Sequence, residues 1–201
     1  MRFGKIDYLN LLPFEVFIRS YPTTSQFMLF YRKNKSYPAK LNKEFLFGRI
    51  DAGFVSSITA LRAKSERFFA SQVGIVAKRE VLSVICIQGK EGSDYQSATS
   101  NALLKVLGLK GRVLIGDRAL FEVLRQKAQG EKNYIDMGEY WYQKGGLPFV
   151  FGRLCVRKDF KSCEKIIQAF SKSHIKIPYY LLNEASKNTK IAKKDIIEYL
   201  K

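Results

Sequence analysis

Cysteine, histidine and long apolar runs are scarce in this 201-residue chain. The three cysteines, Cys86, Cys155 and Cys163, form no Cys-x-x-Cys pair, and an odd number cannot all be bridged. Cys86 and Cys155 lie in apolar, strand-like runs, which predicts small buried thiols. The single histidine, His174, excludes a histidine-rich metal site.

Signals for export or membrane insertion are missing as well. No apolar run approaches the ~20 residues that a membrane-spanning helix needs. The N-terminal residues lack the apolar segment of a secretory signal. The sequence therefore predicts a soluble, cytoplasmic protein that does not contact membranes.

The common catalytic motifs do not occur either. The chain has no Walker A loop, no Gly-x-Gly-x-x-Gly and no Gly-x-Ser-x-Gly elbow. Spacing indicates no acid–base pair among the carboxylates that lie near the polar motifs, which are Asp7, Glu15, Asp51 and Asp117. Nucleotide chemistry and a serine nucleophile therefore have no support.

Positive charge is abundant, with 35 lysines and arginines against 18 acidic residues and a formal net charge of +17. The basic residues are scattered along the chain, and no zinc-finger, helix-turn-helix or RNA-binding motif accompanies them. This distribution favours attraction of an acidic small molecule, or a generally basic composition, over a nucleic-acid partner.

Short apolar strands alternate with amphipathic helices, which predicts an α/β fold with largely parallel sheets. The predicted strands are 2–6, 28–32, 52–55, 68–70, 73–77, 81–87, 112–115, 134–136 and 147–156. The predicted helices are 14–20, one opened by Pro38, 58–63, one begun by residues 97–100, 118–127, a turn at 139–143, 161–173, 179–185 and 192–201.

Two long predicted strands, Val81–Ile87 and Leu147–Val156, bracket a middle segment with its own strands and helices. This order predicts a two-lobed protein, with residues 1–84 and 153–201 in a discontinuous first lobe and 85–152 in the second. We expect the ligand cleft between the lobes, at the carboxyl ends of the strands. Oligomeric state stays open.

The run from Gly145 to Gly152 contains a Gly-Gly pair followed by a proline. Glycine allows close approach of a backbone, and proline fits a strand only where no ladder hydrogen bond is needed. The pattern is typical of a strand that begins at a ligand cleft. Gly146, Leu147 and Pro148 are therefore candidate binding residues.

Small polar residues occur where predicted strands meet helices. Helix N-termini offer unpaired N–H donors, and hydroxyl groups there add more, so a convergent set would bind a carboxylate or phosphate. Each residue alone is equally compatible with an N-cap. These junction residues are Asn10, Ser56, Ser57, Thr99, Ser100 and Asp117.

Ser83 interrupts the apolar run Val81–Ile85. Its hydroxyl is either satisfied by the backbone or directed into the cleft. Asp117 also has two interpretations, a helix cap or a general base. Both pairs of alternatives stay open on the residues alone.

A set of short motifs runs along most of residues 4–157. They are Gly4–Asn10 with Leu12-Pro13, Leu41-Asn42, Asp51-Ala52, Val55–Ser57, Val81–Val84, Ser97–Ser100 with Ala102–Lys105, Leu114–Leu120, Asp136–Glu139 with Trp141, and Gly146–Phe151. In these motifs and in their order, the chain resembles the menaquinone-biosynthesis chorismate dehydratases of the futalosine route. The chain departs from the family pattern at Gly145, where threonine is usual, and at Gly152, where alanine is usual.

The resemblance implies a fold like the two-lobed periplasmic (type II) solute-binding proteins, used as a cytoplasmic enzyme. It implies removal of water from chorismate, a dicarboxylate, to give 3-[(1-carboxyvinyl)oxy]benzoate without a metal or organic cofactor. Family ligand contacts carry over to Asn10, Ser56, Ser57, Ser83, Thr99, Ser100 and Asp117. Within this set we assign catalytic roles to Asn10 and Ser83. The alternatives are a non-catalytic anion-binding module and the sister cyclase of the same route, which acts on a futalosine derivative.

Overall fold

The computed structural model describes residues 1–62, 68–89 and 91–201. The strands are β1 Phe3–Ile6, β2 Lys35–Ser36, β3 Ala52–Ser56, β4 Phe69–Ala77, β5 Val84–Ile87, β6 Arg112–Ile115, β7 Tyr134–Asp136 and β8 Phe149–Val156. The helices are α1 Leu12–Ser20, α2 Ser25–Lys33, α3 Pro38–Leu46, α4 Ser57–Arg62, α5 Ala98–Val106, α6 Asp117–Ala128, α7 Met137–Gly145, α8 Phe160–Lys172, α9 Tyr179–Thr189 and α10 Lys193–Tyr199, with a 3-10 turn at Leu9–Leu11.

The chain folds into two compact units. Unit 1 comprises residues 1–7, 11–75 and 150–177, and unit 2 comprises 8–10, 76–149 and 178–201. The sequence-based division placed 153–201 with the first lobe, whereas helices α9 and α10 group with unit 2. Packing of α9 on α6 accounts for this difference.

Unit 1 is built on a five-stranded sheet of order β2-β1-β3-β8-β4. Strand β3 is buried along its whole length, as expected of an apolar strand covered on both faces. Aromatic rings form much of the core, with Phe14 packed against Phe3, Phe54 and Phe170 at centroid distances of 5.0–5.5 Å. Such ring contacts add to the free energy gained from burial alone.

Unit 2 is built on a three-stranded sheet of order β6-β5-β7. Its core includes Ile85 from the central strand and Ala119 and Val123 from α6, which share one helix face at a spacing of four. Because β5 is the central strand, residues at its N-terminal end are held by neighbours on both sides.

The predicted α/β class with two sheets is confirmed, but the expectation of largely parallel sheets is wrong. β1 is parallel to β2 and β3, whereas β8 is antiparallel to β3, and β5 is antiparallel to both neighbours. Alternation of strands and helices does not fix strand direction. A connection that contains a helix can bring the chain back to either end of the sheet, and the next strand is then parallel or antiparallel to its neighbour.

The segment 28–32, predicted as a strand, lies in helix α2. Thr24 caps the helix by accepting a hydrogen bond from the Phe27 N–H at 3.2 Å. Phe27 and Tyr31 are buried at a spacing of four. The aromatic content favoured a strand, but the cap and the helical spacing of the buried rings determine the structure.

The buried thiols predicted for Cys86 and Cys155 are confirmed, and Cys163 is buried as well. Burial raises the pKa of Cys155 and of Cys163 to about 12. In the part of the chain that the structure describes, no helix is both long and apolar enough to cross a bilayer.

Candidate functional site

The segment Tyr8–Asn10 is held in unit 2 by hydrogen bonds to two different elements. The Leu9 N–H donates to Asp117 Oδ1 at 2.9 Å, at the start of α6. The Tyr8 hydroxyl donates to Gln96 Oε1 at 2.6 Å, just before α5. The Tyr8 ring lies over Gly116, where an added Cβ would come within 2.8 Å of it. Glycine at 116 therefore allows the ring to pack and supplies the positive φ of 65° that this junction requires.

Gly116 links this segment to Ser83. The Tyr8 ring packs on Gly116, and the Gly116 N–H donates to the Ser83 carbonyl at 2.8 Å. The Ser83 side chain is 3% exposed, and its Oγ accepts a hydrogen bond from the Tyr199 hydroxyl at 2.8 Å. The structure thus joins both predicted catalytic residues and Asp117 in one unit.

Asn10 carries a polar atom that the fold does not satisfy. Its Oδ1 is buried and has no hydrogen-bond partner among the described residues. A buried acceptor without a partner costs about 1–3 kcal/mol, so it is rare in a region that serves stability alone. This atom can accept a hydrogen bond from a bound molecule.

Asp136 fixes the backbone that leads into Ser83. Its carboxylate accepts from the N–H groups of Val81 and Leu82, at 3.0 and 2.6 Å, and also from Gly138 and Glu139 as the N-cap of α7. Leu82 has a φ of 56°, a conformation that costs a branched residue free energy unless its surroundings impose it. Burial raises the pKa of Asp136, while the hydrogen bonds from the N–H groups of Glu139, Leu82 and Val81 oppose that shift.

This arrangement also explains why β5 begins at Val84, three residues later than predicted. The N–H groups of Val81 and Leu82 bind a carboxylate and not a neighbouring strand. The Ser83 hydroxyl is bonded to a tyrosine side chain, a partner that neither alternative named, and its direction into a cleft stays a prediction.

The predicted cap role of Asp117 is wrong. Gly116 is the N-cap of α6, and Asp117 is the first helical residue. Its Oδ1 binds the Leu9 N–H, so the carboxylate positions the segment that carries Asn10. The alternative role as a general base stays a prediction.

Asp117→Asn tests that alternative. The amide keeps an oxygen that can accept the Leu9 N–H, so we expect turnover within about fivefold of the parent, whereas loss of a general base costs about 100-fold or more. Steady-state turnover of the candidate substrate measures the difference. Asp117→Ala, which removes the acceptor, serves as the comparison and should lower turnover further. A 100-fold loss of turnover in Asp117→Asn would identify Asp117 as the general base.

Thr99 and Ser100 lie in the first turn of helix α5 and are buried. Ser97 is the N-cap, and its Oγ accepts from the Ser100 N–H at 3.0 Å. The Ser100 N–H is therefore already paired within the protein. A ligand role for these two residues stays a prediction that concerns their hydroxyl groups.

Ser56 and Ser57 lie in unit 1, where β3 passes into α4. The Ser56 N–H donates to Asn42 Oδ1 at 3.0 Å, and the Ser56 hydroxyl accepts from Asn42 Nδ2 at 2.8 Å. The Ser57 hydroxyl donates to the Val150 carbonyl. These contacts satisfy groups that were predicted to bind an anion, so a ligand role for the pair also stays a prediction.

The glycine-rich run has a structural explanation that differs from the predicted one. Gly146 ends helix α7 in the left-handed conformation, with φ 64°, and its N–H donates to the Tyr142 carbonyl at 2.7 Å. A Cβ at Gly145 or Gly146 would meet no described atom within 4 Å, so close backbone approach does not explain either glycine. Pro148 precedes β8, outside the ladder, and the binding role of Gly146, Leu147 and Pro148 stays a prediction.

Sequence reasoning missed Asp136 and Tyr199 as members of the site. Asp136 had a usable signal, because an aspartate followed three residues later by a glutamate is typical of a helix N-terminus. Tyr199 had none, since its partner Ser83 is 116 positions away. Among the described residues, no three His, Cys, Asp or Glu side chains come together as metal ligands.

Comparison with known proteins gives matches along the whole chain. The family described as "Menaquinone biosynthesis" matches residues 1–112 and 108–201. The chorismate dehydratase of Campylobacter jejuni subsp. jejuni (serotype O:23/36, strain 81-176) is 42% identical over 202 aligned residues, covering 100% of this chain and 87% of that protein. The chorismate dehydratase of Thermus thermophilus is 25% identical, covering 83% of this chain and 73% of its own.

Comparison with solved structures gives one likeness in fold and one weaker match. A protein of Archaeoglobus fulgidus has a TM-score of 0.59 at 15% identity, with 98% of this chain and 81% of that one covered. The periplasmic aliphatic sulphonate-binding protein of Escherichia coli has a TM-score of 0.49 at 14% identity, with 100% and 82% covered.

Proposed function

This chain belongs to the menaquinone biosynthesis family, and from that premise we propose that it is a chorismate dehydratase. The observation that carries the proposal is the full-length similarity to the Campylobacter jejuni enzyme of that name. The enzyme is a hydro-lyase that converts chorismate to 3-[(1-carboxyvinyl)oxy]benzoate and water. A cytoplasmic location belongs to the same proposal.

The reaction needs little chemical assistance. A proton leaves the ring carbon that bears the enolpyruvyl ether, and the hydroxyl group leaves the neighbouring carbon, so that water is lost and the ring becomes aromatic. Because aromatisation drives the elimination, positioning of the substrate and stabilisation of developing charge are sufficient contributions from the protein.

Substrate recognition follows from charge. Chorismate is a dianion, and the protein has a formal net charge of +17, which raises the local concentration of anions. Hydroxyl groups of Ser56, Ser57, Thr99 and Ser100 are the proposed carboxylate donors. Gly146, Leu147 and Pro148 are proposed to contact the substrate through an exposed segment.

Asn10 and Ser83 are the proposed catalytic residues. We assign the role of base to the enolpyruvyl carboxylate of chorismate itself, which lies close to the ring proton. Asn10 and Ser83 then orient that carboxylate and the leaving hydroxyl group. The unpartnered Oδ1 of Asn10 supports this role, since an acceptor at that point can hold the hydroxyl hydrogen of the substrate.

The test is incubation of the purified protein with chorismate, followed by liquid chromatography with mass detection of the enolpyruvylbenzoate. We expect product far above the spontaneous background. Binding of chorismate by calorimetry without product would instead identify an anion-binding module. Turnover of a futalosine derivative without turnover of chorismate would identify the sister cyclase, and either result would overturn the proposal.

A further inference from the structure

Tyr199 reaches the predicted catalytic serine from a part of the chain that the family motifs do not cover. It lies at the end of helix α10, and its hydroxyl is 2.8 Å from Ser83 Oγ. Helix α10 is anchored beneath it by Ile196, which is fully buried. The Tyr199 side chain that makes this contact is therefore carried by a helix that is packed into the core.

The backbone of Ser83 is already fixed by other groups. Its N–H donates to the Val81 carbonyl at 2.6 Å, and its carbonyl accepts from the Gly116 N–H at 2.8 Å. Asp136 holds the two preceding N–H groups. The remaining freedom of Ser83 lies in its side chain, and the Tyr199 hydroxyl forms a hydrogen bond with that side chain at 2.8 Å.

The direction of the Tyr199 bond determines what Ser83 can do. A serine hydroxyl has one hydrogen to donate and two lone pairs. We assign Tyr199 as the donor, which occupies one lone pair of Ser83 and leaves the serine hydrogen to point away from Tyr199. Burial raises the pKa of Tyr199 to about 12, and the nearby carboxylates of Asp117 and Asp136 act in the same direction, so Tyr199 keeps its proton at neutral pH.

We propose that Tyr199 is a positioning residue that turns Ser83 into a directed hydrogen-bond donor toward the reacting groups of the substrate. The proposal rests on the proposed function, because it concerns how Ser83 acts in that reaction. Tyr199 touches no reacting atom and works through Ser83 alone.

A double-mutant cycle tests this dependence. We expect Tyr199→Phe to lower kcat about tenfold with KM within twofold. The reason is that the Tyr199–Ser83 hydrogen bond orients a donation from Ser83 to the substrate that is strongest in the transition state. In the Ser83→Ala background, Tyr199→Phe should change kcat by less than about twofold. Tyr180→Phe, on a tyrosine that is 62% exposed in the same unit, is the matched control and should leave kcat unchanged.

A second variant keeps the test informative if Tyr199→Phe folds poorly. Site-specific 3-fluorotyrosine at position 199 keeps the ring and the hydroxyl donor, and should restore kcat to within about threefold of the parent. Circular dichroism and thermal melts establish that each variant is folded at the assay temperature.

The outcomes separate the two proposals. Parental turnover of chorismate together with a tenfold effect of Tyr199→Phe in both backgrounds would overturn the role of Tyr199 and leave the proposed function standing. A change in KM alone, or failure of fluorotyrosine to restore kcat, would do the same. Absence of chorismate turnover in the parent protein would overturn the proposed function, and this inference with it.

Discussion

Asn10→Ala is expected to lower turnover of chorismate at least about 100-fold, the size of effect seen when one oriented polar group is removed from a reacting centre. The same change should leave the free energy of unfolding unchanged or slightly higher. The reason is that Asn10 Oδ1 is buried without a partner among the described residues, so removal relieves an unfavourable group. Steady-state kinetics and urea denaturation measure the two effects.

Asn101→Ala is the matched control for this prediction. The Asn101 side chain is bonded within the protein at both of its polar atoms, since Oδ1 accepts from the Asp94 N–H at 2.9 Å and Nδ2 donates to the Asp94 carbonyl at 2.8 Å. Its loss should cost about 1–3 kcal/mol of unfolding free energy with little effect on kcat. If Asn10→Ala instead destabilised the protein and kept its turnover, Asn10 would be a structural residue.

Asp136→Ala is expected to reduce both stability and turnover. Four backbone N–H groups lose their acceptor, which should cost about 3 kcal/mol of unfolding free energy. Turnover should fall about 100-fold, because Leu82 is no longer held at its φ of 56° and Ser83 moves with it. Urea denaturation and single-turnover kinetics at a temperature where the variant is folded measure these losses.

Asp136→Asn separates the two roles of this carboxylate. Asparagine is a good N-cap, so the bonds to Gly138 and Glu139 survive and the loss of stability should be smaller than in Asp136→Ala. Its NH₂ group then faces the N–H groups of Val81 and Leu82, and turnover should fall nearly as far as in Asp136→Ala. Normal turnover in Asp136→Asn would show that Asp136 serves only the helix.

Much of the fold follows from local pattern. The helix opened by Pro38, the buried strand β3 and the strand β6 were predictable because proline position, apolar runs and glycine stops act within a few residues. Strand direction was not predictable in the same way, since it depends on connections whose course the periodicity does not encode. Helix α2 was missed because a short run of aromatic and apolar residues fits the repeat of a strand as well as that of a helix.

The candidate site was predictable in some of its residues but only partly in their contacts, and its chemistry stays a prediction. Asn10, Ser83 and Asp117 were identified by motif, and the structure brings them together in unit 2. The partner of Ser83 was not identifiable, because the hydrogen bond to Tyr199 joins residues that are distant in sequence. The cap assigned to Asp117 failed for a local reason, since Gly116 with its positive φ takes that position.

The discontinuity of unit 2 has a consequence for how the protein is made. Residues 8–10 are synthesised early, the central part 76–149 later, and residues 178–201 last. During vectorial synthesis, contiguous parts fold first, so the segment with Asn10 must wait for α6 to receive its hydrogen bond. Ser83 must wait longer, until α10 has left the ribosome. A growing chain therefore completes the contacts of Ser83 only after its synthesis has passed Tyr199.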